Sequence, residues 1–108
     1  MLLIKNSLHD ILYMTEENFD SEINFLQCIG GEIRFEILML LKENPLSVGE
    51  ITEELDIDQT LASHHLKHMY DCGIVEKERD GKRIIHSISS ESINELVENI
   101  QEVSKEVC

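Results

Sequence analysis

The chain has 108 residues, room for one domain around one core and too little for two. Its apolar content of 42% is ordinary, which argues against a disordered chain, and no apolar run is long enough to span a bilayer. A net charge of −13 speaks against nucleic acid as a partner, because phosphate contacts need cations.

The distribution of charge weakens that objection. Residues 58–86 hold Lys67, Lys77, Arg79, Lys82 and Arg83 against Asp58, Asp71, Glu76, Glu78 and Asp80, so this segment is neutral. The rest carries the whole deficit. Three scattered cysteines, Cys28, Cys72 and Cys108, are too few and too odd in number for a secreted disulfide framework, and none forms a Cys-x-x-Cys pair. Lys5, His9 and Asp10 interrupt the apolar first residues, unlike the core of a signal peptide. These features predict a soluble cytoplasmic protein.

In chain order, residues 2–14 carry Leu3 or Ile4, Leu8, Ile11 and Leu12 on one stripe, which predicts a short amphipathic helix. Asp20 or Ser21 can cap the next helix. Ile23, Phe25 or Leu26, and Ile29 continue that helix until Gly30-Gly31 breaks it. Residues 32–43 predict a helix with Ile33, Ile37, Leu38, Leu40 and Leu41 inward, stopped by Asn44-Pro45. Ser47-Val48-Gly49-Glu50 matches a capping box for a helix over 48–55, with Ile51 and Leu55 buried.

The helix predicted over 58–73 organises the chain. Asp58 is its N-cap and Gly73 its stop. Leu61, Ala62, His65, Leu66, Met69 and Tyr70 recur at helical spacing and should face the core. Thr60, Ser63, His64, Lys67 and Asp71 form the outward face, with small hydrogen-bonding side chains, one lysine and no leucine. Such a face suits base edges in a major groove. Two helices joined at Asp56-Ile57 fit a helix-turn-helix, although a plain helical hairpin would give the same pattern.

Residues 74–79 and 82–88 predict two strands around Asp80-Gly81. A two-residue turn there would set Arg79 beside Lys82, and Glu78 opposite Arg83. A helix-turn-helix followed by a basic-tipped hairpin is a winged helix. Ser89-Ser90 caps a last helix with Ile93, Leu96, Val97, Ile100, Val103 and Val107 on one stripe, longer than one small core needs. With the N-terminal helix it suggests a homodimer interface; the plainer reading is that it packs on its own domain.

From Gln59-Thr60-Leu61-Ala62-Ser63-His64-His65-Leu66-Lys67, through Asp71-Cys72-Gly73-Ile74-Val75, to Arg79-Asp80-Gly81-Lys82-Arg83, the chain resembles ArsR-type winged-helix repressors. Residues 30–41, with Arg34 and Ile37-Leu38, look like that family's second helix. The resemblance implies a mainly α fold with a small β-hairpin: one winged-helix domain over 1–108, with a helix-turn-helix at 47–73, a wing at 74–88, and pairing helices at 1–29 and 89–108. It also implies a homodimeric repressor on a palindromic operator of double-stranded DNA. Two recognition helices would lie about one helical turn, roughly 34 Å, apart. Gln59, Thr60, Ser63, His64 and Lys67 would meet bases and phosphates, while Arg79, Lys82 and Arg83 would reach the backbone or minor groove.

The sensory sites of that family are absent. A Leu-Cys-Val-Cys metal pattern is replaced by Leu46-Ser47-Val48-Gly49. The positions of the last-helix site hold Ser90, Ser92, Val103 and Glu106, of which only Glu106 could bind a metal. His64 and His68, four apart, could share a face toward a metal, but zinc needs a third ligand and the DNA-facing reading uses the same face. His65 reads as a partly buried packing residue, and His86 as a surface or dimer residue. Cys28 and Cys108 are the redox or soft-metal candidates. The plainer reading makes Cys28 and Cys72 small buried hydrophobes and Cys108 a frayed tail. No cofactor and no membrane contact are expected. No Gly-rich phosphate loop, nucleophile elbow or carboxylate pair marks an enzyme. The rival to DNA binding is a winged helix used for protein contact.

Overall fold

The computed structural model describes residues 18–108. The amphipathic segment expected at 2–14 lies outside them. Helix α1 (Asp20–Ile29) has no side-chain cap of its own; Asn18 Oδ1 instead accepts from the Asp20 amide at 3.1 Å, so Asp20 and Ser21 fall inside the first turn. Cys28 and Ile29 are buried and Phe25 packs against the core, while Ile23 and Leu26 are 50% and 61% exposed. Gly31 has φ 110°, a conformation that favours glycine, and separates α1 from α2 (Glu32–Glu43). Ile37, Leu38 and Leu41 of α2 enter the core, and Asn44 turns extended before Pro45.

Strand β1 (Leu46–Ser47) was not foreseen, because two residues are too short to show a period. It leads into α3 (Val48–Leu55) through the capping box: the Ser47 hydroxyl accepts from the Glu50 amide at 3.2 Å, and Glu50 Oε1 accepts from the Ser47 amide at 2.9 Å. Asp56, at φ 55°, ends α3.

Helix α4 (Gln59–Asp71) starts where Asp58 Oδ2 accepts from the Thr60 amide at 2.9 Å. Gly73 takes φ 83° after it, and the Gly73 and Ile74 amides close on the Tyr70 and Met69 carbonyls as in a Schellman motif. This C-terminus drops Ile74 and Val75 into the core beside Leu66 and Met69. Ala62, Leu66 and Met69 are buried as expected. Leu61 and Tyr70 lie at the margin of the apolar stripe and are 37% and 42% exposed, so the core-facing arc of α4 is narrower than its sequence suggests.

The wing is β2 (Val75–Asp80) and β3 (Arg83–Ile88), and β3 is the middle strand of an antiparallel sheet ordered β1-β3-β2. The register pairs Asp80 with Arg83, Arg79 with Ile84 and Glu78 with Ile85. The two-residue turn is therefore Gly81-Lys82, one residue later than Asp80-Gly81. Gly81 supplies its left-handed residue, at φ 67°. Arg79 does not sit opposite Lys82, and Glu78 does not face Arg83. Instead Arg83 approaches Asp80 Oδ2 at 3.9 Å and Glu50 Oε1 at 3.7 Å. Helix α5 (Glu91–Val107) is capped by Ser90, while the Ser89 hydroxyl donates to the Gly73 carbonyl at 2.7 Å. Val97 anchors α5 to the core; Val103 and Val107 stand in solvent.

Candidate nucleic-acid interface

Burial of Ala62, Leu66 and Met69 fixes the rotation of α4 and turns Gln59, Thr60, Ser63, His64 and Lys67 to solvent, all five exposed. Arg79, Lys82 and Arg83 are likewise exposed on the wing. The two sets meet: Gln59 shares an open cleft with Lys82 and Arg83, floored by Val48 and Gly49 at the start of α3.

Two of these cations have acidic neighbours. Lys67 Nζ lies 2.8 Å from Asp71 Oδ2, one turn on along α4. That hydrogen bond holds the Asp71 carboxyl below the ordinary carboxylate range. Glu50 is also held low, first by the Ser47 amide and hydroxyl and lastly by Arg83. All four partners are well exposed, so water screens these pairs and phosphate can replace the carboxylates.

Two further cations were given no role at this surface from the sequence. Lys77 sits over the Tyr70 ring, 4.2 Å from its centroid, in a hollow that also takes in Ser63 and Lys67. Its position two before Arg79 on one strand was the available signal, since alternate residues share a face. Arg34, at the start of α2, donates from Nε to His65 Nδ1 at 3.1 Å and from Nη1 to the Gln27 carbonyl at 2.8 Å. Nothing local marks that contact, which spans 31 residues.

Burial, and then Arg34, His64 and His68, lower the His65 pKa, so His65 is neutral and half-buried, as its packing role predicts. His86 differs from expectation: it is 5% exposed, paired across the sheet with Lys77, and its Nδ1 has no partner. Burial, and then Lys77, push its pKa down. The neutral ring is thus the folded form. Stability tied to it is complete above the free imidazole value of about 6.5 and is lost as pH falls through that value toward the folded pKa. Urea midpoints should therefore fall between about pH 7.5 and 5, and less steeply in His86→Phe; equal slopes in both proteins would remove His86 as the cause.

The cysteines also depart from expectation. Cys28 is joined to Cys72 by a disulfide, with a Cα–Cα distance of 6.6 Å, and Cys108 is free and exposed. Of the two redox candidates, Cys28 is thus engaged by Cys72, a partner the sequence did not suggest. Cys72 is exposed rather than buried, because the Schellman turn carries it to the surface end of α4. His68 likewise lies near these two sulfurs, and His64 is not in the group.

A profile of the bacterial regulatory protein, arsR family, matches residues 31–77, which run from the start of α2 into the wing. The HTH-type transcriptional regulator YgaV of Escherichia coli is 34% identical over 79 residues, covering 72% of this chain and 80% of that protein. The chain belongs to the arsR family. The transcriptional activator HlyU of Vibrio cholerae is 29% identical over 83 residues, covering 77% of each protein. Among solved structures, this arsR-family chain superposes on the homodimeric winged helix-turn-helix DNA-binding domain of a possible ArsR-family regulator from Mycobacterium bovis. That match has a TM-score of 0.77 at 27% identity, over 82% of each chain. The relatives are transcriptional regulators, and among the described residues no helix is long and apolar enough to cross a membrane.

Proposed function

We propose that this arsR-family chain is a cytoplasmic, sequence-specific DNA-binding transcriptional repressor, not an enzyme, and that it reads a palindromic operator as a homodimer. In this reading residues 47–73 are the helix-turn-helix and 74–88 the wing; 89–108 and, among the described residues, α1 supply the pairing helices. The observation that carries it is the outward face of α4. Gln59, Thr60, Ser63, His64 and Lys67 are all exposed, and Gln59 shares a cleft with Lys82 and Arg83 of the wing. The helix enters the major groove with these residues on base edges and phosphates, and Arg79, Lys82 and Arg83 track the backbone or minor groove. Pairing is supported by exposed Phe19 at the N-cap of α1, Ile23 and Leu26 on α1, and Val103 and Val107 on α5, and by the homodimeric relative.

Mobility-shift titration against the DNA upstream of its own coding sequence, with random competitor DNA and at several salt concentrations, tests this. Expected is a competitor-resistant complex whose affinity falls steeply with salt. Binding that random DNA abolishes, or no binding at low salt, would overturn it.

A further inference from the structure

We propose that Cys28, His68 and Cys72 form a site for a thiophilic d10 cation, zinc or cadmium, and that the Cys28–Cys72 disulfide is its closed, metal-free state. One ligand atom from each residue lies within 4.8 Å of the others. A tetrahedral site has ligand–ligand edges of about 3.5–3.8 Å, from metal–sulfur and metal–nitrogen bonds of about 2.3 and 2.1 Å, so side-chain rotation is enough to close it. Two sulfurs and one imidazole suit a soft or borderline metal and not magnesium or calcium.

The fold assembles this set from two elements. Cys28 is 1% exposed in the last turn of α1. His68 and Cys72 are four apart at the end of α4, which places both side chains over one patch. An open hollow lined by Ser21, Asn24, His68 and Asp71 gives the cation a way in and leaves a fourth position for water. His68 Nδ1 has only a 3.4 Å contact from Arg34 Nη2, a weak tie that ligation can replace.

The chemistry is balanced in two steps. A small-molecule or protein thiol reductant delivers two electrons and two protons to the disulfide, giving two Cys thiols, and is itself oxidised to a disulfide. The cation then displaces one proton from each thiol and binds both thiolates and one imidazole nitrogen. Oxidation and metal occupancy exclude each other, since both use the same sulfur lone pairs.

The test uses the full chain. Thiol titration of the native protein should give one reactive thiol, Cys108, before reductant and three after it. Cadmium added to the reduced, chelator-treated protein should produce a sulfur-to-cadmium charge-transfer band that saturates at one metal per chain, and zinc should displace it. Cys28→Ser and Cys72→Ser should each lose the tight site, and Cys108→Ser should keep it. His68→Gln should weaken it by at least the 10- to 100-fold typical of outer-shell changes. Circular dichroism of each variant separates ligand loss from unfolding. A single reactive thiol after reductant, no band, or a band that survives Cys28→Ser and Cys72→Ser would overturn the site. An unchanged affinity in His68→Gln would remove the imidazole and with it the three-ligand proposal.

Discussion

Replacing Lys67 and Arg83 by glutamine in one chain lowers operator affinity and flattens its salt dependence. Each phosphate contact contributes about 0.9 to the slope of log affinity against log salt, so a dimer lacking both in each protomer should lose about 3.6 units. Affinity should fall nearly uniformly across sequences, because phosphates carry no base identity. Changing both to glutamate should abolish binding. The fold should survive, since both side chains are more than half exposed and their carboxylate partners, Asp71, Asp80 and Glu50, are exposed as well. Glutamine is the cleaner substitution for the slope, because Lys67→Glu would also set a carboxylate against Asp71 one turn on. Equal slopes for the variant and the parent would remove these two residues from the phosphate contacts.

This prediction rests on two residues of different legibility in the sequence. Lys67 was readable. Its outward position follows from the 3.6-residue period that buries Ala62, Leu66 and Met69, and a helix pattern survives uncertainty at its ends. Arg83 was assigned to the right wing with the wrong neighbour. Asp-Gly is a strong turn signal, but Gly-Lys closes an equally short turn, and moving the turn by one residue changes every cross-strand pair. The register that prevails keeps Val75 and His86 on the inner side of the sheet and ties β3 to β1 through Leu46 and Ser47. That tie joins residues nearly forty apart and leaves no local trace.

The same limit hid the contacts between α1 and α4. Cys28 and Cys72 are 44 residues apart, and no spacing rule links them. The i,i+4 relation of His68 to Cys72 was visible, but it gains meaning only once the Gly30-Gly31 break folds α1 back against the end of α4. Residue types and periods thus mark the exposed face proposed to meet DNA, because that face lies on one helix and one hairpin. They do not locate sites assembled from separate elements.

Leu26→Glu should convert the protein from dimer to monomer and lower operator affinity by about 10²- to 10⁴-fold, the advantage that linking two half-site readers confers. The argument starts from a mismatch between burial and composition. Phe19, at the N-cap of α1, and Ile23 and Leu26 within it recur at helical spacing and are 59%, 50% and 61% exposed. Val103 and Val107, one turn apart on α5, are 52% and 75% exposed. An isolated exposed leucine is ordinary, whereas two apolar helical stripes in a chain of net charge −13 call for a partner surface. A two-fold pair covers both stripes with their own copies. Glutamate at position 26 would be buried unpaired at that interface, at a cost of roughly 3–5 kcal/mol for an uncompensated buried charge. In the monomer the same glutamate stays in water, so folding is retained. Ser21→Glu, on the same helix but off the stripe, should leave the dimer intact. Sedimentation equilibrium and the mobility-shift titration give the two readouts. A Leu26→Glu protein that remains dimeric and binds like the parent would show that α1 does not pair, whereas one that becomes monomeric with unchanged affinity would show that operator reading needs only one chain.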